Sequence, residues 1–234
     1  MTPNRLRRRR RNGARRLAMS AIAMVTAWAS VAWTQEAKDV PLAVTLGKGS
    51  ELRVEGSSTI HDWESRTEAM TISLTGREAL PAGTEALDSF VRATKVGGLT
   101  LTIPVASMKS GKDGLDKNMR KALKEKEFPN IVFKMSGYEF LNGSQSADTM
   151  SIRAKGSITV TGVTRPENVQ ATLVRDGKGL WLEGSKDLRM TDFEVRPPTM
   201  MMGTLRTKDE ITIHYRLLLV STAESADATE ATNP

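Results

Sequence analysis

Between residues 40 and 220 the apolar side chains recur at every second position, and a chain patterned in this way buries them by forming strands. Leu99, Leu101, Ile103 and Val105 alternate with Thr100 and Thr102, giving one apolar face and one hydroxyl-bearing face. Met70, Ile72 and Leu74 alternate in the same way with Thr71, Ser73 and Thr75. Similar segments follow at residues 131–138, 151–161, 168–174, 180–184 and 210–220. Asn142-Gly143 and Asp176-Gly177 are expected as hairpin turns because both pairs tolerate positive φ. Residues 77–90, rich in Gly, Pro and charge, read as a loop. Roughly eight strands in tandem without helical alternation predict an all-β chain, either an antiparallel sandwich or a closed barrel.

One stretch breaks the alternation. Residues 109–126 are charged and compatible with a helix, and they end at Glu127-Phe128-Pro129-Asn130 before Ile131, Phe133 and Met135 resume the strand pattern. Proline donates no hydrogen bond and disfavours helix at the residue before it, so Phe128-Pro129 is a sharp boundary. The sequence therefore predicts one short helix inserted before that strand. Its lysines are diluted by Asp113, Asp116, Glu125 and Glu127, which marks a solvated face rather than a nucleic-acid contact.

Ahead of the strands, Arg5, Arg7 to Arg11, Arg15 and Arg16 precede an apolar run at residues 17–32. The run is short for a bilayer span, and small residues at Ala27, Ala29, Ser30 and Ala32 offer cleavage sites. Residues 1–32 are thus expected to be a signal peptide, with an uncleaved anchor as the rival. Arg15-Arg16 hints at twin-arginine export, but an arginine-rich leader produces such pairs by chance. Removing the eight leader arginines from the whole-chain charge of +7 leaves −1. The expected mature protein is exported to the periplasm or secreted, does not stay inserted in a membrane, and has no charge bias towards nucleic acid. Residues 221–234 are Ala, Thr, Ser and acid and read as a disordered tail.

No cysteine is present, which removes disulfides, thiolate catalysis and cysteine zinc sites. Only His61 and His214 remain as histidines, and no Asp-x-Asp-x-Asp loop occurs, so neither a metal nor another cofactor is expected. His61 and Asp62 stand near Ser57 and Ser58, but strand neighbours point to opposite faces, and there is no Gly-x-Ser-x-Gly elbow. A turn cap by Asp62 and an apolar anchor by Trp63 fit better, and no catalytic residue is assigned. Enzyme chemistry is the weakest of three functional readings. The others are a binder of a long apolar molecule and a dry barrel that meets an envelope partner.

Several motifs together carry a family resemblance. Phe128-Pro129-x-Ile131-x-Phe133 is followed by Lys155-Gly156-Ser157-Ile158-Thr159-Val160-Thr161-Gly162-Val163-Thr164-Arg165 and by Leu188-Arg189-Met190-Thr191-Asp192-Phe193. In this order they resemble the recurring motifs of the YceI-like family. Ser58-Thr59-Ile60-His61-Asp62-Trp63 is similar to that family's first turn, and residues 101–123 resemble its strand and helix. The resemblance covers about residues 52–219 and implies a lipocalin-like antiparallel eight-stranded barrel, spanning residues 40–220, in an exported protein. It further implies a polyisoprenoid, an isoprenoid quinone or another long-chain lipid as the partner held inside. One departure stands out: the family's Asp-Phe-Gly reads Asp192-Phe193-Glu194 here, removing the residue that makes a tight backbone path easy.

A ligand in such a barrel is expected to meet Trp63, Leu101, Ile103, Phe133, Met135, Ile158, Val160, Leu173 and Phe193, with Met200 and Met201 at the mouth. Pro197 to Met202 reads either as a stiff connection whose methionines cap the core or as an adaptable apolar lid. Leu217, Leu218, Leu219 and Val220 make the last strand apolar on both faces, which requires a cover outside. An exposed barrel edge could also pair into a homodimer.

Overall fold

The computed structural model describes residues 39–83, 85–200 and 205–222. The leader at residues 1–32, Met201 and all but the first two residues of the expected tail lie outside them. Twelve strands are present among the described residues: β1 (Val40–Leu42), β2 (Val44–Leu46), β3 (Glu51–Ser58), β4 (Asp62–Thr67), β5 (Thr71–Gly76), β6 (Val96–Pro104), β7 (Asn130–Gln145), β8 (Thr149–Val160), β9 (Val163–Asp176), β10 (Gly179–Arg189), β11 (Thr199–Met200) and β12 (Leu205–Ser221). They form one antiparallel sheet, curled around a single interior, in which ten strands run in the order β1-β5-β6-β7-β8-β9-β10-β12-β3-β4 and β2 and β11 each pair with β12. The all-β antiparallel class expected from the alternation holds. The count exceeds eight because β1, β2 and β11 are too short to leave a periodic signal and β4 is too polar to show one.

The curled sheet is closed by its own first segment. β1 pairs with β5, Leu42 facing Leu74, and after one residue β2 pairs instead with β12, Leu46 facing Leu219. Between them Ala43 accepts the Thr222 N–H at 2.7 Å. At the other edge, Arg66 of β4 and Lys109 exchange two backbone hydrogen bonds of 2.8 Å. The apolar outer face of β12 has a cover as well. Leu218 lies against the turn at residues 47–50, where Gly47 donates to the Leu218 carbonyl and the Leu218 N–H donates to Ser50 Oγ. A Cβ on Gly47 would stand 2.6 Å from Leu218, so glycine lets the turn lie flat there.

Two expectations need correction. Residues 77–90 were expected as a loop, yet α1 (Ala86–Arg92) forms there. Leu87, Phe90 and Val91 fall on one side of it and seal one end of the barrel against Leu42, Leu74, Leu173, Leu180 and Leu219. Asn142-Gly143 is not the hairpin turn either, because β7 runs on to Gln145 and the chain reverses at residues 146–148. Contacts from outside the hairpin hold that later turn: Arg92 donates to the Ala147 carbonyl, and the Arg175 side chain and N–H reach Asp148. Asp176-Gly177 does turn the chain. Asp176 accepts from the N–H groups of Lys178 and Gly179 and from Trp181 Nε1.

Candidate functional site

The end of the barrel opposite α1 is where the sequence motifs meet. β8 and β9 are joined by Thr161-Gly162, both at positive φ, and the Phe128 ring lies over Gly162 so closely that a Cβ would stand 2.6 Å from it. Thr161 Oγ1 donates to the Phe193 carbonyl at 2.6 Å, and Arg165 Nε donates to the Asp192 carbonyl at 2.8 Å. The tight path at Glu194 survives the loss of glycine: Glu194 takes φ +57° and ends the 3-10 turn at Met190–Phe193. Left-handed backbone is costly for a residue with a Cβ, so these side-chain bonds to the turn's carbonyls help to hold it.

The inserted helix, α2 (Asp113–Ala122), lies across this end. Leu115, Met119, Ala122 and Leu123 fall at helical spacing and line a chamber beneath it. α2 is anchored at its start by Asp116, which is buried at 4 % exposure and accepts the Ser110 hydroxyl at 2.5 Å and the Ser110 N–H at 2.7 Å. The Ser110 hydroxyl is the main cause that holds the Asp116 carboxyl below the ordinary carboxylate range. This stabilisation is present above the unfolded pKa and is lost as pH falls through the depressed folded value. Asp116→Ala should therefore lower stability by about 1.5 kcal/mol at neutral pH. Melting curves of the variant and the parent should converge in acid. A gap of constant size at every pH would show that the Asp116 charge is not responsible.

Two apolar chambers occupy the barrel. The first, of ≈130 Å³, lies under α2 and is lined in part by Trp63, Ile158, Val160 and Phe193. The second, of ≈110 Å³, lies deeper and is lined in part by Leu101, Ile103, Phe133, Met135 and Ile158. Ile131, Ile158 and Ile213 belong to both walls, so the chambers adjoin at these three side chains. Ile152 lines the inner chamber and Val160 the outer, eight residues apart on β8, or about 26 Å at ~3.3 Å per residue. Leu173 lines neither chamber and is packed in the sealed end near α1. Met200 falls in β11, paired with Leu205.

The wall is not uniform around these chambers. β9 and β10 pair only from Asp176 opposite Gly179 to Thr172 opposite Glu183. Beyond that point side chains span the seam: the Tyr215 hydroxyl donates to the Gln170 carbonyl, and Lys186 Nζ meets Glu167 at 2.7 Å. Burial pushes the Tyr215 hydroxyl up to about 12. Near Trp63, Leu188 and Ile211 the outer chamber meets an open groove rimmed by Glu55, Asp62, Glu64, Asp187 and Asp192.

Residues 48–219 match the family model of the YceI-like domain. The chain belongs to the YceI-like family. Its β-barrel fold is shared with Burkholderia cenocepacia BcnA, 16% identical over 73% of this chain and 96% of that one, with a TM-score of 0.55. It is shared too with a polyisoprenoid binding domain from Saccharophagus degradans, 13% identical over 77% and 99% of the respective chains, with a TM-score of 0.54. No curated protein matches the chain.

Several residues of this YceI-like chamber escaped the sequence reading. Ser65 follows Trp63 by two positions, so strand parity alone turns it inward, yet its polarity disguised it. Leu115, Met119 and Leu123 were legible as one helix stripe within a charged segment. Parity with Ile211, Ile213 and Leu217 turns Tyr215 inward, and parity with Leu182 and Leu188 does the same for Lys186, but a lysine and a tyrosine read as surface residues. The turn cap is also a different residue from the one expected. Ser58 Oγ donates to the His61 carbonyl at 2.7 Å and accepts the His61 N–H, whereas Asp62 begins β4 opposite Ser57.

Proposed function

We propose that this protein is an exported, non-enzymatic carrier that holds the chain of a long apolar molecule, such as a polyisoprenoid, an isoprenoid quinone or a fatty-chain lipid, inside its barrel. The observation that carries the reading is the shape of the interior: two narrow chambers end to end, walled by Leu, Ile, Val, Phe and Met. Each is smaller than the ~300–1,000 Å³ of a typical compact ligand pocket. A thin chain threaded through both suits this space better than a compact molecule does. At about 0.8 kcal/mol per buried methylene, ten carbons contribute about 8 kcal/mol, comparable with the ~4–15 kcal/mol that association costs. A short ligand would gain too little. The polyisoprenoid binding domain that shares the fold supports the same ligand class.

Neither rival gains a specific observation. The apolar outer face of β12, which could have marked a partner surface, is covered by the chain's own turn at residues 47–50. Ser58, the serine nearest His61 in sequence, is engaged with the backbone of its turn and is not poised as a nucleophile.

The test is native mass spectrometry of the protein expressed with its leader and purified without detergent, followed by organic extraction. A bound mass that leaves on extraction is the expected result. A clean apo mass that stays apo when isoprenoid quinones and long fatty amides are offered would overturn the carrier reading.

A further inference from the structure

The outer chamber is mostly apolar, and where β4 faces it two polar atoms among the described residues have no partner. Trp63 Nε1 and Ser65 Oγ are buried without a hydrogen bond, and Ser65 is only 1% exposed. Both residues line the chamber, on the same face of the strand. The third inward residue of β4 differs: Thr67 Oγ1 is paired with Ser107 Oγ at 2.7 Å. Gly56, opposite Trp63, gives the indole its place, since a Cβ there would stand 2.3 Å from the ring. The ring is thus held down on the backbone with its N–H unspent.

A buried donor or acceptor left unpaired is destabilising, and native proteins leave few of them. We propose that Trp63 Nε1 and Ser65 Oγ form a head-group site for a neutral hydrogen-bond acceptor, a carbonyl oxygen, carried at the end of the apolar chain. This rests on the carrier reading and adds a direction to it: the head lies in the outer chamber under α2 and the tail runs inward past Ile158. An indole N–H can only donate, so the ligand must accept, and the serine hydroxyl donates to the same oxygen. The group must also be uncharged. Among the described residues Arg189 is the one cation in the chamber wall; it also lines the adjoining groove, where Glu55, Asp62, Glu64, Asp187 and Asp192 outnumber it and repel an anion.

Three matched probes test this on the extracted protein: octadecane, 2-octadecanone and octadecanoate, delivered from cyclodextrin, with affinities read by native mass spectrometry. The ketone should bind about tenfold tighter than the alkane, the gain expected of one buried hydrogen bond. It should also bind tighter than the carboxylate. Ser65→Ala should shrink the ketone's advantage over octadecane and Trp63→Phe should abolish it, the ratio of the two affinities within each variant cancelling any change in the apolar lining. The indole N–H resonance that disappears in Trp63→Phe should move downfield with the ketone and not with the alkane. Ketone and alkane binding alike would overturn the head-group site, with a trapped water then serving the two atoms, and would leave the carrier reading standing. The carboxylate binding tightest would overturn the neutral-acceptor assignment. Failure of all three probes to bind would overturn the carrier reading and the head-group site with it. Ser65→Ala removes a single oxygen, so the test does not depend on Trp63→Phe folding.

Discussion

Ala154→Phe is expected to expel the ligand while leaving the apo fold as stable as before. Ala154 projects from the middle of β8 into the inner chamber, which holds ≈110 Å³ of space. A phenyl ring there fills a void that already exists instead of forcing packed side chains apart, so the usual overpacking penalty of about 1–3 kcal/mol is largely avoided. The ligand has no such choice. If half of a ten-carbon chain can no longer enter, about 4 kcal/mol of burial is lost, roughly a thousandfold in affinity. Occupancy is read by native mass spectrometry, and stability by melting the extracted protein, since bound ligand would itself raise the melting temperature. Undiminished occupancy in the variant would mean that the chain stops in the outer chamber.

Gly156→Ala should damage the fold severely, and Gly137→Ala, across the same β-bulge, should barely register. Gly156 lies opposite Met135, where the β7–β8 register shifts. A Cβ on it would stand 2.3 Å from the Lys134 carbonyl oxygen and 3.0 Å from the Phe133 ring. The first of these neighbours is backbone and cannot rotate away, so the ladder itself must open. The loss should reach about 3 kcal/mol, or about 6–12 °C in melting temperature for a domain of this size. A Cβ on Gly137 would meet nothing within 4 Å. Equal melting temperatures for the two variants would show that the close approach at Gly156 is not what its glycine serves.

That contrast marks how far the sequence could be read. Alternation placed β6, β7 and β8 and their inward Leu101, Ile103, Phe133 and Ile158, because a buried face imposes a period of two on any strand long enough to display it. Phe128-Pro129 likewise announced the end of the helical insertion. Gly156, though, is silent in such a pattern because it has no side chain to alternate, and the carbonyl that excludes a side chain there belongs to another strand. α1 was illegible for a similar reason. Its seven residues sit between Gly, Pro and charge, and their helical form follows from the barrel end that Leu87 and Phe90 must close. Ser65 shows the converse limit. Parity turns it inward, but only the absence of any partner in three dimensions makes its hydroxyl a feature of the chamber.

The strap formed by β1 and β2 bears on the order of events during folding. The seams that close the barrel join β2 and β3 to β12, so the earliest and the latest strands of the described chain are direct neighbours. Such pairings have high contact order and must meet the entropy of the whole intervening loop before they return any stability. While the chain is being made, β3 waits with one edge unpaired and the interior stays open along that side. The barrel therefore closes last, in one late step, and until then its apolar lining is accessible to solvent, to chaperones and to any hydrophobic molecule nearby.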